Sequence, residues 1–213
     1  MKICGIDEAG RGPVIGPLVV AGLLIEESQE KELIVLDVKD SKLLSPERRE
    51  ALYDILTKKY EYFAIVVPPA EVDEAVFSKT TNLNFLEFTK MAMIINKLNP
   101  DKAIIDAPSV NIEAFKDYVR KMLKKDVEIV AEHKADLNYP VVSAASIIAK
   151  VTRDRMIEDL KKKHNVNFGS GYPADPLTKD FLVRHYKDYD FFRKSWASYK
   201  NLMKGKQKSL GEY

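Results

Sequence analysis

The chain has 213 residues, with 34 Lys/Arg against 32 Asp/Glu for a net charge of +2, and 46% of it is hydrophobic. That balance suits one domain of ordinary size with a sizeable core, and excludes a disordered or fibrous chain. The single cysteine, Cys4, excludes a disulfide framework and a cysteine-rich zinc site, and points to a reducing, cytoplasmic setting.

Residues 2–7 read as a short buried strand, entered at once, with no basic leader or cleavage site before it. Residues 18–25 read as a second strand, and the Gly/Pro-rich segment between the two is a loop. Ser45-Pro46-Glu47 starts a helix: a capping hydroxyl, a proline in the first turn, then an acid. It runs to about residue 59, and a strand over 61–67 follows, ended by Pro68-Pro69. A helix is predicted over 83–98, a strand over 102–106, a helix over 113–124 and a strand over 127–131. A long helix over about 141–163 is small and apolar in its first half, which implies burial, and charged in its second. Alternating strands and helices argue for an α/β fold with a partly parallel central sheet. The longest apolar runs, residues 18–25 and 140–149, fall short of the roughly 18–20 needed to cross a bilayer, so no membrane is expected.

Acids fall where strands end: Asp7-Glu8, Asp106 and Asp136. Ligands of open α/β sheets gather at strand ends, and carboxylates there are hard oxygen donors suited to Mg²⁺ or Mn²⁺. Two such ions about 3.5–4 Å apart suit phosphodiester hydrolysis. Each acid also has a plainer reading. Asp106 could start a turn before Pro108, and Asp136 could cap one. Neighbours such as Asp7 and Glu8 point to opposite faces of a strand unless it ends or bends there. Gly10-Arg11-Gly12 does not match a dinucleotide fingerprint, because Pro13 follows and the loop leads into a strand. It remains a loop whose backbone can approach a ligand closely. Gly169-Ser170-Gly171-Tyr172-Pro173 is a second such loop, holding an aromatic. From 179 to 208, nine Lys/Arg and three Asp are interleaved with seven aromatics. That stretch is either a surface that follows and stacks on nucleic acid or a helical part that buries its rings.

Taken in order, Gly5-Ile6-Asp7-Glu8-Ala9-Gly10-Arg11-Gly12-Pro13, Asp40-Ser41-Lys42-Leu43-Leu44, Ile105-Asp106-Ala107, His133-Lys134-Ala135-Asp136, Ser143-Ala144-Ala145-Ser146 through Val151, and Gly169 to Pro173 form a pattern. It resembles the type 2 ribonucleases H (ribonuclease HII), nearest the archaeal branch, over about residues 1–200. The resemblance implies a ribonuclease-H-like α/β fold, a central mixed sheet flanked by helices with a helical C-terminal extension. It implies one catalytic domain over 1–205, its basic helical part at about 176–205, and a flexible tail over 206–213. It implies an endoribonuclease that hydrolyses RNA in RNA–DNA hybrids and nicks 5′ to ribonucleotides embedded in duplex DNA, by a two-metal-ion reaction leaving 5′-phosphate and 3′-hydroxyl. Asp7, Glu8, Asp106 and Asp136 then hold Mg²⁺ or Mn²⁺, while Gly10, Arg11, Gly12 and Tyr172 read the 2′-hydroxyl. Lys42, Lys150 and Arg153 are further candidates for phosphate contacts, against a plain reading as solvated surface. The tail residues Gln207, Leu210 and Tyr213 resemble a sliding-clamp-binding motif, with one aromatic where two are common. A monomer is expected. A non-catalytic relative would be expected to have lost an acid, and a type 3 ribonuclease H or junction resolvase to lack the Gly-Arg-Gly loop with Tyr172.

Overall fold

The computed structural model describes residues 1–38 and 44–210, with side chains through residue 204. In chain order it has β1 (Lys2–Ala9), β2 (Leu18–Glu26), a single 3-10 turn (Glu27–Gln29), α1 (Glu30–Val35), α2 (Pro46–Lys59) and β3 (Glu61–Val67). Then come α3 (Pro69–Phe77), α4 (Leu83–Leu98), β4 (Lys102–Asp106), α5 (Ile112–Arg120) and β5 (Glu128–Glu132). The chain continues through α6 (Ala135–Asn138), α7 (Pro140–His164), α8 (Pro176–His185) and α9 (Ala197–Leu210). Sheet order is β3-β2-β1-β4-β5. β1 is antiparallel to β2 and parallel to β4, and β4 is parallel to β5. The sheet is mixed and helices accompany it, the ribonuclease-H-like arrangement expected.

Local chemistry accounts for most boundaries. Ser45 Oγ accepts from Arg48 N at 3.2 Å and Pro46 fills the first turn of α2. Three differences from the sequence reading stand out, the first two with a physical cause. β1 does not stop at Asp7, because Glu8 and Ala9 pair with Val20 and Val19 across the ladder. Pro69, read as a strand stop, also opens α3, since a proline fits the first helical turn as well as it ends a strand. α5 ends at Arg120, four residues short of the expected 124.

The chain divides into two compact units. The first comprises Met1–Ala9, Val19–Val66 and Asn84–Thr152. Its core joins one face of β1 and β2 (Ile3, Val19, Ala21, Leu23, Ile25) to the apolar half of α7. Contact there is backbone on backbone. A Cβ at Gly5 would stand 2.3 Å from the carbonyl carbon and oxygen of Val141, so β1 and α7 meet this closely only through a residue without a side chain. Cys4 belongs to the other face and is fully buried, which pushes its thiol far above the ordinary range and fits a structural residue.

The second unit comprises Gly10–Leu18, Val67–Leu83 and Arg153–Tyr213. Phe181, Tyr186, Phe191, Phe192 and Tyr199 are buried with Val14, Ile15, Ile157 and Phe168 as its core. The stacking reading of the C-terminal aromatics is therefore corrected: these rings fill the interior and are not offered to nucleic acid. Gln207 and Leu210 fall on the last turns of α9, while Lys42 and Tyr213 lie outside the described residues. Among the described residues, no helix is long and apolar enough to cross a membrane.

Candidate active site

Ile6 of β1 is in register with Ile105 of the parallel β4, so Asp7 and Asp106 are the next residues on adjacent strands. Asp106 in turn pairs with Glu132 at the end of β5. From there His133 and Lys134 turn the chain, Lys134 at φ 60°, into α6, whose second residue is Asp136. Carboxylate oxygens of Asp7, Asp106 and Asp136 lie within 4.8 Å of one another. The residues are 6% and 3% exposed at Asp7 and Asp136, and Asp106 is half-buried.

Hydrogen bonds fix this convergence. Asp7 Oδ1 accepts from Glu8 N at 2.7 Å, and the Ser146 hydroxyl on α7 donates to the same carboxylate. Asp106 Oδ1 accepts from Ala135 N at 3.3 Å, which ties the end of β4 to the start of α6. Ser143 Oγ on α7 donates to the Asp136 carbonyl. The loops after β4 and β5 are joined by Ala107 N to Glu132 O at 2.9 Å, and His133 Nδ1 lies 3.2 Å from Ala107 O.

Glu8 is outside the three-acid group, because strand alternation turns it to the other face while β1 continues regularly. Its charge is nevertheless felt. Burial, then Glu8, then Asp106 push the Asp7 carboxyl well above the usual carboxylate range, against the hydrogen bonds from Ser146 and Glu8 N. Two full charges 4.8 Å apart repel by about 3 kcal/mol at an effective dielectric of about 20. A largely buried cluster of this kind is costly by itself and suited to a hard divalent cation with oxygen ligands.

In the second unit the Gly10-Arg11-Gly12 loop meets the 169–173 loop. Val14 N and Ile15 N both donate to Gly171 O, at 2.9 and 3.3 Å. Gly10 has φ 84°, and a Cβ there would lie 2.6 Å from Arg153 Cδ and 2.7 Å from Pro17 O, so both conformation and space require glycine. A Cβ at Gly12 would lie 3.5 Å from Tyr172 Cε1, which puts the loop backbone against that ring. Tyr172 is 40% exposed. Arg153 is 2% exposed; it donates to Ser170 O at 3.2 Å, and its guanidinium stands 5.3 Å from the Tyr172 ring centroid. Arg153, expected to contact phosphate, is thus placed against the Tyr172 ring and the 169–173 loop. Lys150 is half-buried on α7. Sequence reasoning missed Ser146, hidden in an apolar run. It also missed Arg193, fully buried against the loop but counted among the basic residues of a charged segment.

The family model for ribonuclease HII matches residues 4–199. The chain belongs to the ribonuclease HII family. A ribonuclease HII of Methanocella arvoryzae is 48% identical over 200 residues, covering 92% of this chain and 89% of that protein. The crystal structure of the ribonuclease H2 from Pyrococcus horikoshii superposes with a TM-score of 0.88 at 43% identity, covering 98% of this chain and all of that one. A ribonuclease HII from Archaeoglobus fulgidus, solved in complex with PCNA, gives 0.84 at 42% identity over 92% of this chain and 95% of that one. Ribonuclease HII enzymes are metal-dependent endoribonucleases that cleave the RNA of RNA–DNA hybrids and cut at embedded ribonucleotides, and this chain is an enzyme of that family.

Proposed function

We propose that Asp7, Glu8, Asp106 and Asp136 form the catalytic metal centre, with Mg²⁺ or Mn²⁺ as the ion, and that Gly10-Arg11-Gly12 with Tyr172 reads the ribonucleotide. The observation that carries this is the convergence of three carboxylates within 4.8 Å, Asp7 on β1, Asp106 at the end of the parallel β4 and Asp136 on α6 just after β5. Asp7 and Asp136 supply buried oxygen ligands, Asp106 a more accessible one, and Glu8 added negative charge from the neighbouring position. A divalent cation that these acids would hold would supply a lowered pKa for the attacking water and charge to offset that on the phosphate. The chain's own part is to orient these oxygens through Ser146, the Ala135 N–H and the Glu8 N–H, so that little reorganisation remains for the reaction.

The 2′-hydroxyl is both donor and acceptor, so a backbone loop beside a phenol can tell RNA from DNA at one nucleotide. Lys150 is proposed to contact phosphate. The tail residues Gln207, Leu210 and Tyr213 are proposed to bind a sliding clamp, which the Archaeoglobus relative's complex with PCNA supports. Action as a monomer in the cytoplasm, on misincorporated ribonucleotides and RNA primers, completes the proposal. The test is an end-labelled DNA duplex carrying one ribonucleotide. A single nick 5′ to it in Mg²⁺, lost on chelation and in Asp7→Asn, is expected; nicking by Asp7→Asn at the wild-type rate would overturn the metal-centre assignment.

A further inference from the structure

Two side chains three residues apart take up the carbonyls of the Gly10-Arg11-Gly12 loop. Arg193 Nη2 donates to Gly10 O at 2.6 Å, Nη1 to Arg11 O at 3.0 Å and Nε to Gly16 O at 3.0 Å. Trp196 Nε1 donates to Gly12 O at 2.8 Å, and the Arg193 guanidinium lies 4.8 Å from the Trp196 ring centroid. The segment bearing them is itself anchored. Asp73 on α3 accepts from Lys194 N at 2.8 Å, Ser195 N at 2.8 Å and Ser195 Oγ at 2.6 Å.

We propose that Arg193, with Trp196, is a positioning residue for ribonucleotide discrimination: it sets which edge of the loop's peptide groups faces the substrate. In a planar trans peptide the carbonyl of one residue and the N–H of the next point in opposite directions. Drawing the Gly10 and Arg11 carbonyls onto the buried guanidinium therefore turns the N–H groups of Arg11 and Gly12 the other way. The Gly12 backbone lies against Tyr172, so this orientation governs how donors stand beside the phenol. A planar fork of donors suits three diverging carbonyls; an ammonium offers a single point and cannot reach all three.

Backbone pairing also holds the exit of the loop, beside the Nε bond to Gly16 O. Arg193 N donates to Val14 O at 2.8 Å and Gly16 N to Phe191 O at 2.9 Å, and Ile15 bridges Phe192. What the guanidinium adds is reach to Gly10 and Arg11. Burying a cation is expensive, and packing alone would be served by an apolar side chain of similar volume.

The inference rests on the proposed 2′-hydroxyl reading by this loop, and its test separates the two. Arg193→Lys, Trp196→Phe and Tyr172→Phe are compared with wild type on duplexes carrying one ribonucleotide or one 2′-fluoro nucleotide at the same position. Melting temperature is recorded for each protein. The readout is the ratio of kcat/KM for the two substrates, because a merely structural defect lowers both and leaves the ratio unchanged. Expected is a ratio reduced about tenfold in Trp196→Phe and more in Arg193→Lys, each lost hydrogen bond to the aligned loop being worth about a factor of ten. Trp196→Phe keeps an aromatic ring and removes the donor that fixes Gly12 through its carbonyl, so it decides the matter even if Arg193→Lys folds poorly. An unchanged ratio in Trp196→Phe and in any folded Arg193→Lys, with a collapsed ratio in Tyr172→Phe, overturns the clamp alone. An unchanged ratio in all three overturns the 2′-hydroxyl reading and the clamp with it.

Discussion

Gly5→Ala couples the fold to the site. The added methyl would stand 2.3 Å from Val141 C and O and 2.6 Å from Val142 N, where ordinary contact begins at about 3.4 Å. The atoms it meets are backbone of the first turn of α7, so no rotamer change relieves the clash, and β1 and α7 must part by about 1 Å. Overpacking of a well-filled core costs about 1–3 kcal/mol, and a backbone clash of this depth belongs at the upper end. At about 2–4 °C per kcal/mol for a chain of this size, the melting temperature should fall by about 6–12 °C. The displacement also acts on catalysis. Asp7 lies two residues beyond Gly5, and α7 carries Ser146, the hydroxyl that orients Asp7, and Ser143, which holds Asp136. A misplacement of about 1 Å can cost about a hundredfold in rate. Calorimetric melting, Mn²⁺ titration and single-turnover cleavage, all well below the melting temperature, make the measurement. Gly22→Ala is the comparison, because its methyl meets side chains and not backbone, Ile94 Cγ2 at 2.4 Å and Leu98 Cδ1 at 3.2 Å, so it should cost stability without parting β1 from α7. A Gly5→Ala protein that melts within about 2 °C of wild type and binds Mn²⁺ as tightly would refute the reasoning.

Further outcomes are expected. Because burial and the Glu8 and Asp106 charges raise the Asp7 carboxyl, this group's contribution to the metal-free fold should be fully present below the ordinary carboxylate range and be lost as pH rises through the folded value. Asp7→Asn should flatten that slope and raise the melting temperature in EDTA near neutral pH while abolishing cleavage; thermal melts across pH check it. By the same sign, Mg²⁺ binding should weaken as pH falls while still above the ordinary carboxylate range, and should release protons, which calorimetry in buffers of different ionisation heat detects. Tyr172→Ala should lower cleavage at a single ribonucleotide far more than affinity for plain duplex DNA, measured by parallel kinetics and binding titration. Removing residues 207–213 should leave melting and basal cleavage nearly unchanged and eliminate binding to the cognate clamp, read by calorimetric titration.

Strand ends made most of the acidic cluster legible. An acid closing each of two apolar runs became a cluster because β1 and β4 are parallel and in register at Ile6 and Ile105, a pairing no local pattern specifies. Glu8 shows the limit: whether β1 ended at Asp7 depended on its ladder with Val20 and Val19. The aromatics of the C-terminal segment were legible as rings among charges but ambiguous in direction, and burial decided against stacking on nucleic acid. Arg193 was least legible of all. In sequence it adds to a basic stretch, whereas in the fold its value lies in four carbonyl and ring contacts with segments near the other end of the chain and at Trp196. Asp73 was hidden in the same way, since its partners are the backbone and hydroxyl of residues more than a hundred positions away.

The most direct test of the metal centre is Mn²⁺ uptake followed by electron paramagnetic resonance in wild type and Asp106→Asn, with cleavage of the single-ribonucleotide duplex measured on the same samples. Wild type should take up Mn²⁺ and cleave, and Asp106→Asn should lose at least about tenfold in Mn²⁺ affinity and nearly all cleavage together, since one of three converging carboxylates is gone. Wild-type Mn²⁺ affinity and cleavage retained in Asp106→Asn would contradict the assignment of these acids as the catalytic metal ligands.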